Sequence, residues 1–353
     1  MTEGLRTDDP GMVLLARAVA HADPRGVLLC GGGELSGLAG ATRLVTDVRE
    51  LADGRSRALG ITDAAAIDAL PPMQHAIVWP RAHLGKDFTQ LCLARGALAL
   101  AEGGRLSCAV RKHKGAESVA DFMAALLGNV ETKARDSGYR LLESVHEGTR
   151  DDVLARATIE RRYVVSDPRL DGLELASAPG VFSRRELDAG TAALIDHVAA
   201  WAEARTFAPA SAIDLCAGIG PLGLWAARRW PALEVLAVDS NMIAIDLLHA
   251  NVESAGLAAR VTPVLADGLP GDPPAVWAAR RGTVELALVN PPTHAERGEL
   301  GTLLAGLRGW MAADAPVFVV VSRAGTARDA LRAAGADVRE TMVPGYTVLE
   351  AYW

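Results

Sequence analysis

Cysteine is scarce in this sequence, and long apolar segments are missing. The four cysteines include no C-x-x-C pair, which argues against a disulfide framework or a structural zinc site and favours a reducing compartment. No run of about 20 apolar residues occurs, so no transmembrane helix is predicted. Residues 2–9 are mostly polar and acidic and predict no secretory signal. We therefore expect a cytoplasmic protein that binds neither a metal nor a membrane.

An excess of positive charge is also absent. The 353 residues include 36 Lys and Arg against 43 Asp and Glu, which gives a formal net charge of −7. This balance excludes a protein held on nucleic acid by its overall charge, although not one with a local basic face. Half of the residues are hydrophobic, which excludes a disordered chain, and the length is sufficient for two domains.

Apolar runs and helical segments alternate through the second half of the chain, which is typical of a parallel sheet covered on both faces. Ser240 is expected to cap the helix after the second strand. Only Pro344-Gly345 separates the last two strands, which predicts a hairpin with one antiparallel strand. The predicted strands are 212–216, 234–239, 261–266, 284–289, 317–321, 338–343 and 347–352, and the predicted helices are 222–230, 240–255, 300–312 and 326–334.

The first half repeats this order in a degenerate form. Cys30 falls on Cys216 and Asp47 on Asp239 when the two halves are compared. The strand stopped at Pro80 likewise falls on the one that ends at residue 290. We interpret the pattern as an ancestral duplication.

A glycine-rich turn follows the first strand of the second half, as Asp214-x-Cys216-x-Gly218-x-Gly220. Glycine allows a ligand to approach closely, and the following helix presents free N–H groups. The G-x-G-x-x-G fingerprint of dinucleotide sites is not met. The carboxylate of Asp214 would repel a pyrophosphate and favours a cationic ligand. S-adenosylmethionine is such a ligand, because it carries a sulfonium and an ammonium group and no phosphate.

Two further acids follow the next two strands. Asp239 lies about 20 residues after the glycines, where a carboxylate can accept two hydrogen bonds from a ribose diol. The alternative is a solvated acid at a strand end. Asp267 follows the third strand, where it can accept from an adenine amino group, although Asp267-Gly268 is also an ordinary turn.

The segment Asn290-Pro291-Pro292-Thr293 ends the fourth strand, at the edge where α/β sheets bind ligands. Two prolines remove two N–H donors and fix φ, which leaves a rigid turn. The Asn290 amide oxygen and the Pro291 carbonyl can both accept from an –NH₂ group and direct its lone pair at an electrophilic methyl. Catalysis would then rest on positioning and a matched polar environment. The alternative is a strand stopped by proline with an Asn cap.

These residues resemble a known family. The turn at 214–220, Asp239, Asp267 and the Asn-Pro-Pro-x-His segment at 290–294 are similar to class I S-adenosylmethionine-dependent methyltransferases of the small domain type. Residues 179–190 resemble the segment before that domain in the RsmC and RlmG ribosomal RNA guanine-N2 methyltransferases. In the first half, Arg111-Lys112-His113-Lys114-Gly115-Ala116 and Gly128-Asn129-Val130 resemble the degenerate N-terminal domain of those enzymes.

The resemblance implies an α/β fold of two tandem Rossmann-like methyltransferase domains. It implies a degenerate, RNA-binding support domain in residues 1–150, a connector with a pre-catalytic segment in 151–195, and a catalytic domain in 196–353. The catalytic sheet is expected to have seven mostly parallel strands and a terminal antiparallel hairpin. The implied activity is methyl transfer from S-adenosylmethionine to guanine N2 in ribosomal RNA, with 16S RNA favoured. Ribosomal RNA or a ribosomal subunit is the expected partner, and the protein is expected to be a monomer.

The resemblance also implies roles for individual residues. Catalysis would involve Asn290, Pro291, Pro292 and His294, and Ser183 would line the site. Substrate contacts would come from Thr293 and from the basic cluster of Arg111, Lys112 and Lys114. Three further bases lie near this cluster in the sequence: Lys133, Arg135 and Arg140. The alternative interpretation of the cluster is a solvated charged loop. Cofactor contacts would come from Asp214, Cys216, Ala217, Gly218, Gly220, Asp239, Ser240, Asp267, Gly268, Asn290, Phe182 and Asp188.

The sequence departs from the family at two places. Thr293 stands where the family has Phe or Tyr, whose ring stacks on the target base. In the first half, Leu28 and Glu34 stand at the positions of Asp214 and Gly220, which argues against a second cofactor site there. Two other functions stay open. One is the same fold and cofactor acting on a small molecule or a protein amide, and the other is a non-catalytic RNA-binding assembly factor.

Overall fold

The structure is a computed structural model that describes residues 9–31, 38–51, 57–81, 84–292 and 297–353. The chain divides into an N-terminal unit, Thr2–Arg162, and a C-terminal unit, Tyr163–Trp353. Each unit contains a seven-stranded sheet within the described residues. The predicted connector of 151–195 spans the division, because it contains one helix of the N-terminal unit and one β-hairpin of the C-terminal unit.

The N-terminal unit is an α/β sheet of strand order β3-β2-β1-β4-β5-β7-β6. The first five strands are parallel, and β7 runs antiparallel to both β5 and β6. Its elements are α1 (Pro10–Ala18), β1 (Val27–Cys30), β2 (Thr42–Val45), β3 (Arg57–Gly60), α2 (Ala64–Asp68), β4 (Met73–Val78), α3 (Gly85–Ala99), β5 (Leu100–Arg111), α4 (Ala116–Leu127), β6 (Glu131–Asp136), β7 (Tyr139–Val145) and α5 (Asp152–Ile159).

The C-terminal unit has the equivalent order, β12-β11-β10-β13-β14-β16-β15, preceded by a separate two-stranded hairpin. Its elements are β8 (Tyr163–Ser166), β9 (Glu174–Ser177), α6 (Ala189–Glu203), β10 (Ser211–Leu215), α7 (Pro221–Arg229), β11 (Glu234–Asp239), α8 (Met242–Ser254), β12 (Val261–Leu265), α9 (Ala275–Ala278), β13 (Leu286–Val289), α10 (Arg297–Gly306), β14 (Val317–Val321), α11 (Ala324–Ala333), β15 (Asp337–Val343) and β16 (Tyr346–Tyr352).

These two sheets confirm the predicted fold of tandem domains. Strand β16 runs antiparallel to β14 and β15, as the short Pro344-Gly345 turn predicts. The remaining strands of the C-terminal sheet are parallel to one another. Parallel strands need crossover connections, which the long segments between these strands provide. The shared strand order of the two units agrees with the duplication inferred from the sequence.

The core of the C-terminal unit lies on both faces of its central strands. Every residue of β10 and β13 is buried, which matches their apolar sequences and the helices that cover both faces. Strand β10 lies between β11 and β13 in the sheet. The chain therefore adds strands on one side of β10 up to β12, and on its other side from β13 onward. Such a reversal opens a crevice at the carboxyl ends of the strands, where ligands of α/β proteins bind.

Three sequence predictions about element ends were wrong. Asn241, not Ser240, caps α8, because its Oδ1 accepts from the N–H groups of Ile243 and Ala244 at 2.9 and 3.3 Å. The fourth strand begins at residue 286, since Val284 makes only an isolated bridge. Helix α10 starts earlier than predicted and ends at residue 306, where a short 3₁₀ turn follows.

The described residues contain no disulfide bond, no cluster of metal ligands and no membrane-spanning helix. The four cysteines, all of them within the described residues, are not joined in disulfide bonds, and three of them are buried in the N-terminal unit. Among the described residues, no His, Cys, Asp and Glu side chains are grouped as a metal site requires. None of the helices in the described ranges combines the length and the apolar character needed to cross a bilayer.

Candidate active site

The glycine turn lies between the ends of β10 and α7, at the crevice. Cys216, Gly218 and Gly220 have φ of 63°, 56° and 94°, a left-handed backbone that glycine adopts readily. A Cβ on Gly220 would lie 2.2 Å from Leu248 Cδ1, so only glycine fits there. A Cβ on Gly218 would meet nothing within 4 Å, so this side of the turn is open to a ligand.

Asp214 lies beneath this turn. Its side chain is fully buried, and Oδ2 accepts from the Gly223 N–H at 2.7 Å, which fixes the first turn of α7. Burial raises the pKa of Asp214 to about 7. Among the described residues, Oδ1 has no hydrogen-bond partner. The sequence argument expected this charge to face a cationic ligand; the structure shows it buried, with Oδ2 anchoring the first turn of α7.

Asp239 joins the turn to the end of β11. Its Oδ2 accepts from the Gly218 N–H and its Oδ1 from the Asn241 N–H, both at 2.8 Å. Each carboxylate oxygen can accept more than one hydrogen bond, so this half-buried group can also bind a diol. The Ala266 N–H donates to the Asp239 carbonyl at 3.0 Å, which brings exposed Asp267 and the turn at Gly268 to the same edge.

Residues 178–188 reach this edge as well. Asn241 Nδ2 donates to the Gly180 carbonyl at 2.9 Å, which attaches the segment to the end of β11. Phe182 follows and is 65% exposed, a high value for an aromatic side chain. Ser183 is left-handed, at φ 47°, and its hydroxyl donates to the Glu186 carbonyl. The segment therefore presents an aromatic ring near the carboxyl edge of the sheet.

Asn290 lies at the end of β13, directly beside the glycine turn. Leu215 pairs with Val289 in the sheet, so the turn and the Asn-Pro-Pro corner leave adjacent strands at the same level. Asn290 Nδ2 donates to Asp188 Oδ2 at 2.9 Å and to Thr191 Oγ1 at 2.8 Å. Pro291 is buried and Pro292 is exposed, whereas Thr293 and His294 lie outside the described residues.

The structure brings most of the predicted cofactor residues to one edge, where Cys216, Ala217 and Ser240 belong to the same two turns. Sequence reasoning missed Thr191, Asn241 and Asn251. Asn251 is 2% exposed, accepts from the Ala176 N–H, and donates to the carbonyls of Ala176 and Ile219. It thereby ties the β8–β9 hairpin to the glycine turn. Thr191 follows Asp188 at capping spacing, and that was the only available signal.

The predicted basic cluster lies in the N-terminal unit, where β5 ends. Lys112 and Lys114 are exposed and form no ion pair with another residue that the structure describes. Arg111 is different, because its Nε donates to the Tyr139 hydroxyl at 2.8 Å and its guanidinium lies over that ring. Of the nearby bases, Lys133 pairs with Glu131, whereas Arg135 and Arg140 face each other across β6 and β7. Like charges held side by side favour an anionic partner.

Comparisons with known proteins agree with this geometry. A family model described as methyltransferase small domain matches residues 172–350, just over half of the chain. The ribosomal RNA small subunit methyltransferase C of Pseudomonas entomophila is 32% identical over 36% of this chain and 34% of its own length. The ribosomal RNA large subunit methyltransferase G of Pseudomonas putida is 29% identical over 50% of this chain and 42% of its own length. The chain therefore spans less than half the length of these two curated relatives.

A solved structure resembles the whole chain. It is a Thermus thermophilus 16S rRNA N2 methyltransferase (RsmC) in complex with AdoMet and guanosine. It aligns over 99% of this chain and 93% of that chain, with a TM-score of 0.74 and 21% sequence identity. At this identity the likeness shows the fold, which is that of two tandem units.

Proposed function

We propose a function for this chain, which belongs to the methyltransferase small domain family. It transfers a methyl group from S-adenosylmethionine to the exocyclic N2 amine of a guanine in ribosomal RNA, with 16S RNA favoured. The observation that carries this proposal is the Asn290 amide beside the glycine turn, on the strand paired with β10. Names of curated relatives support the ribosomal substrate. We further propose a cytoplasmic monomer whose partner is ribosomal RNA or a ribosomal subunit.

The residues at the crevice fit S-adenosylmethionine. The open side of Gly218 accommodates a close ligand, and the half-buried Asp239 carboxylate would accept from its ribose. Asp267 and Gly268, at the same edge, would contact the adenine, and Phe182 and Asp188 would complete the contacts. When bound, S-adenosylmethionine supplies an electrophilic methyl group on a sulfonium.

The chain's own residues would position the acceptor. Asn290 Oδ1 and the Pro291 carbonyl would accept the two N–H bonds of the target amine, which orients its lone pair. Holding both partners in one geometry can supply a large part of the rate enhancement in such a reaction. Thr293 and His294 follow in the chain and remain predicted contacts to the substrate.

RNA binding would draw on both units. Lys112 and Lys114 would contact phosphates, which position a nucleic acid without reading its sequence. Phe182 would stack on the extruded base, because its exposed ring supplies the aromatic surface that Thr293 lacks. The partly buried Arg111 contact to Tyr139 makes that arginine a support for the basic loop as well as a phosphate ligand.

The proposal is tested in two measurements on the whole chain. Calorimetry with S-adenosylmethionine measures cofactor binding, and we expect saturable binding of one molecule. Transfer of labelled methyl is then compared for naked ribosomal RNA, 30S particles and a small-molecule extract, and the modified nucleotide is mapped. We expect label at a guanine N2. Label only in the extract would favour a small-molecule enzyme, and RNA binding without cofactor binding would favour a non-catalytic assembly factor.

A further inference from the structure

We infer that Asp188 and Thr191 are positioning residues that fix the orientation of the Asn290 side-chain amide, so that Oδ1 and not Nδ2 faces the acceptor amine. The inference rests on the proposed function, because it gives Oδ1 an amine to bind. It also adds a requirement on the substrate that the family membership alone does not contain.

The orientation follows from the chemistry of the two partners. Asn290 Nδ2 lies 2.9 Å from Asp188 Oδ2 and 2.8 Å from Thr191 Oγ1. A carboxylate only accepts hydrogen bonds, so the amide atom facing it must be the nitrogen. The reversed amide would place two acceptor oxygens against each other at this distance. The two N–H bonds of Asn290 are therefore both used, and its oxygen must point the other way.

The two partners sit on a rigid support. Asp188 caps the 15-residue helix α6, and its Oδ2 also accepts from the Thr191 N–H at 2.9 Å. Helix α6 packs on β14 and β16. Beside the carboxylate, a Cβ on Gly190 would lie 2.9 Å from Asp188 Oδ2 and 3.1 Å from the Tyr346 ring. The carboxylate is thus held against the first turn of α6, where little space remains beside Gly190.

This orientation predicts the class of nucleophile. Asn290 Oδ1 receives no hydrogen bond from the described residues, and a proline cannot donate one at 291 or 292. The corner therefore offers acceptors only. Two acceptors match the two N–H bonds of a primary amine, whereas a carbonyl oxygen or an alkoxide would meet repulsion. The site therefore favours a primary amine, which can donate to both acceptors, over an oxygen nucleophile that has no proton to donate.

The orientation is measured directly by NMR of the whole chain with ¹⁵N in its side-chain amides. The sequence has only four asparagines and two glutamines, so the spectrum is simple. Asn290→Ala assigns the Asn290 signal, and exposed Gln74 is the reference for fast exchange. We expect the Asn290 amide protons to exchange at least about tenfold more slowly than those of Gln74. In Thr191→Val the Asn290 signal should shift and exchange faster, and in Thr191→Ser it should return.

Kinetics give the second readout. Thr191→Val should lower kcat about tenfold with the KM for S-adenosylmethionine unchanged, and Thr191→Ser should recover most of the loss. The matched control is Thr158→Val, which removes an equally buried helix hydroxyl in the N-terminal unit and should leave kcat unchanged.

Four results decide the matter. The inference would be overturned if the Asn290 amide protons exchanged as fast as those of Gln74. It would also be overturned if the Asn290 signal were unchanged in Thr191→Val. An Asn290 signal that behaves as expected in a protein that methylates no acceptor supports the orientation and contradicts the proposed function. Activity that falls equally in Thr191→Val and Thr191→Ser overturns the positioning role, because the hydroxyl is retained in the second variant.

Discussion

The backbone N–H of Gly218 donates to Asp239 Oδ2 over 2.8 Å, across 21 residues of sequence. The glycine turn and the second strand are therefore held together by the same carboxylate that we propose binds the ribose. Asn241 supports it from the other side, because its N–H donates to Oδ1 and its side chain caps α8. The cofactor site is thus organised before any ligand arrives, which reduces the ordering cost of binding.

Stability is expected to depend on pH through Asp214. Burial raises its pKa to about 7 in the folded protein, above the value near 4 of an unfolded chain. The folded state therefore binds more protons than the unfolded state between about pH 4 and 7, and its free energy of unfolding falls as pH rises through that window, by at most about 1.4 kcal/mol per pH unit. Above pH 7 this contribution is constant.

Asp214→Asn removes this titration. Denaturant unfolding of both proteins from pH 4.5 to 8 should show the variant gaining stability relative to the parent as pH rises, until about pH 7. The Nδ2 of the introduced asparagine would lie at the Oδ1 position, where it has no hydrogen-bond acceptor among the residues that the structure describes. This lowers the free energy of unfolding by an amount that does not depend on pH. A difference between the two proteins that stays constant across this range would mean that Asp214 titrates normally.

Gly190→Ala should separate helix stability from activity. Alanine is the better helix former by about 1 kcal/mol. At residue 190, however, its Cβ would lie 2.9 Å from Asp188 Oδ2, so the carboxylate must shift and its hydrogen bond from Asn290 is disturbed. We expect kcat to fall about tenfold. Gly301→Ala is the control, since open space surrounds that helical glycine, and it should leave kcat unchanged. Equal kcat in both variants would refute the constraint on Asp188.

Phe182→Ala tests the stacking surface. The ring is 65% exposed, so its loss should change the free energy of unfolding by less than about 0.5 kcal/mol. Stacking on a base is worth about 1–3 kcal/mol, so the KM for RNA should rise about 5- to 150-fold. Met342→Ala removes another exposed apolar side chain, on the edge strand β15, and should not change KM. An unaltered KM in Phe182→Ala would show that the ring does not touch the RNA.

The basic loop is tested through salt dependence. Each phosphate contact contributes about 0.7–0.9 to the slope of log K against log salt. Replacing both Lys112 and Lys114 by Ala should therefore reduce the slope for RNA binding by about 1.4–1.8. Lys86→Ala removes one exposed lysine elsewhere in the N-terminal unit and should leave the slope unchanged. A slope that is the same in the double variant and the parent would place the RNA elsewhere.

Periodicity predicted most of the C-terminal sheet, because its strands are short apolar runs ended by polar residues. Strand β11 was predicted with its observed ends, and so was β14. Helix α8 was given the wrong cap, since Ser240 and Asn241 are both good caps and local sequence does not show which side chain reaches the free N–H groups. Element ends depend on such competition between neighbours.

Contacts between distant segments could not be predicted in the same way. Thr191 and Asn290 are 99 residues apart, and the local sequence around either residue does not predict their contact. The burial of Asp214 was also missed, because its position before a glycine turn is equally compatible with a ligand-facing acid. Sequence therefore indicated which residues share the carboxyl edge, while tertiary packing determined which of them point into it.

The most direct test of the account is methyl transfer by Asn290→Ala, measured beside calorimetry with S-adenosylmethionine. Loss of the amide oxygen should lower turnover at least about 100-fold, whereas the dissociation constant for the cofactor should change less than about threefold. Turnover close to that of the parent chain would contradict the central claim that this amide holds the acceptor amine.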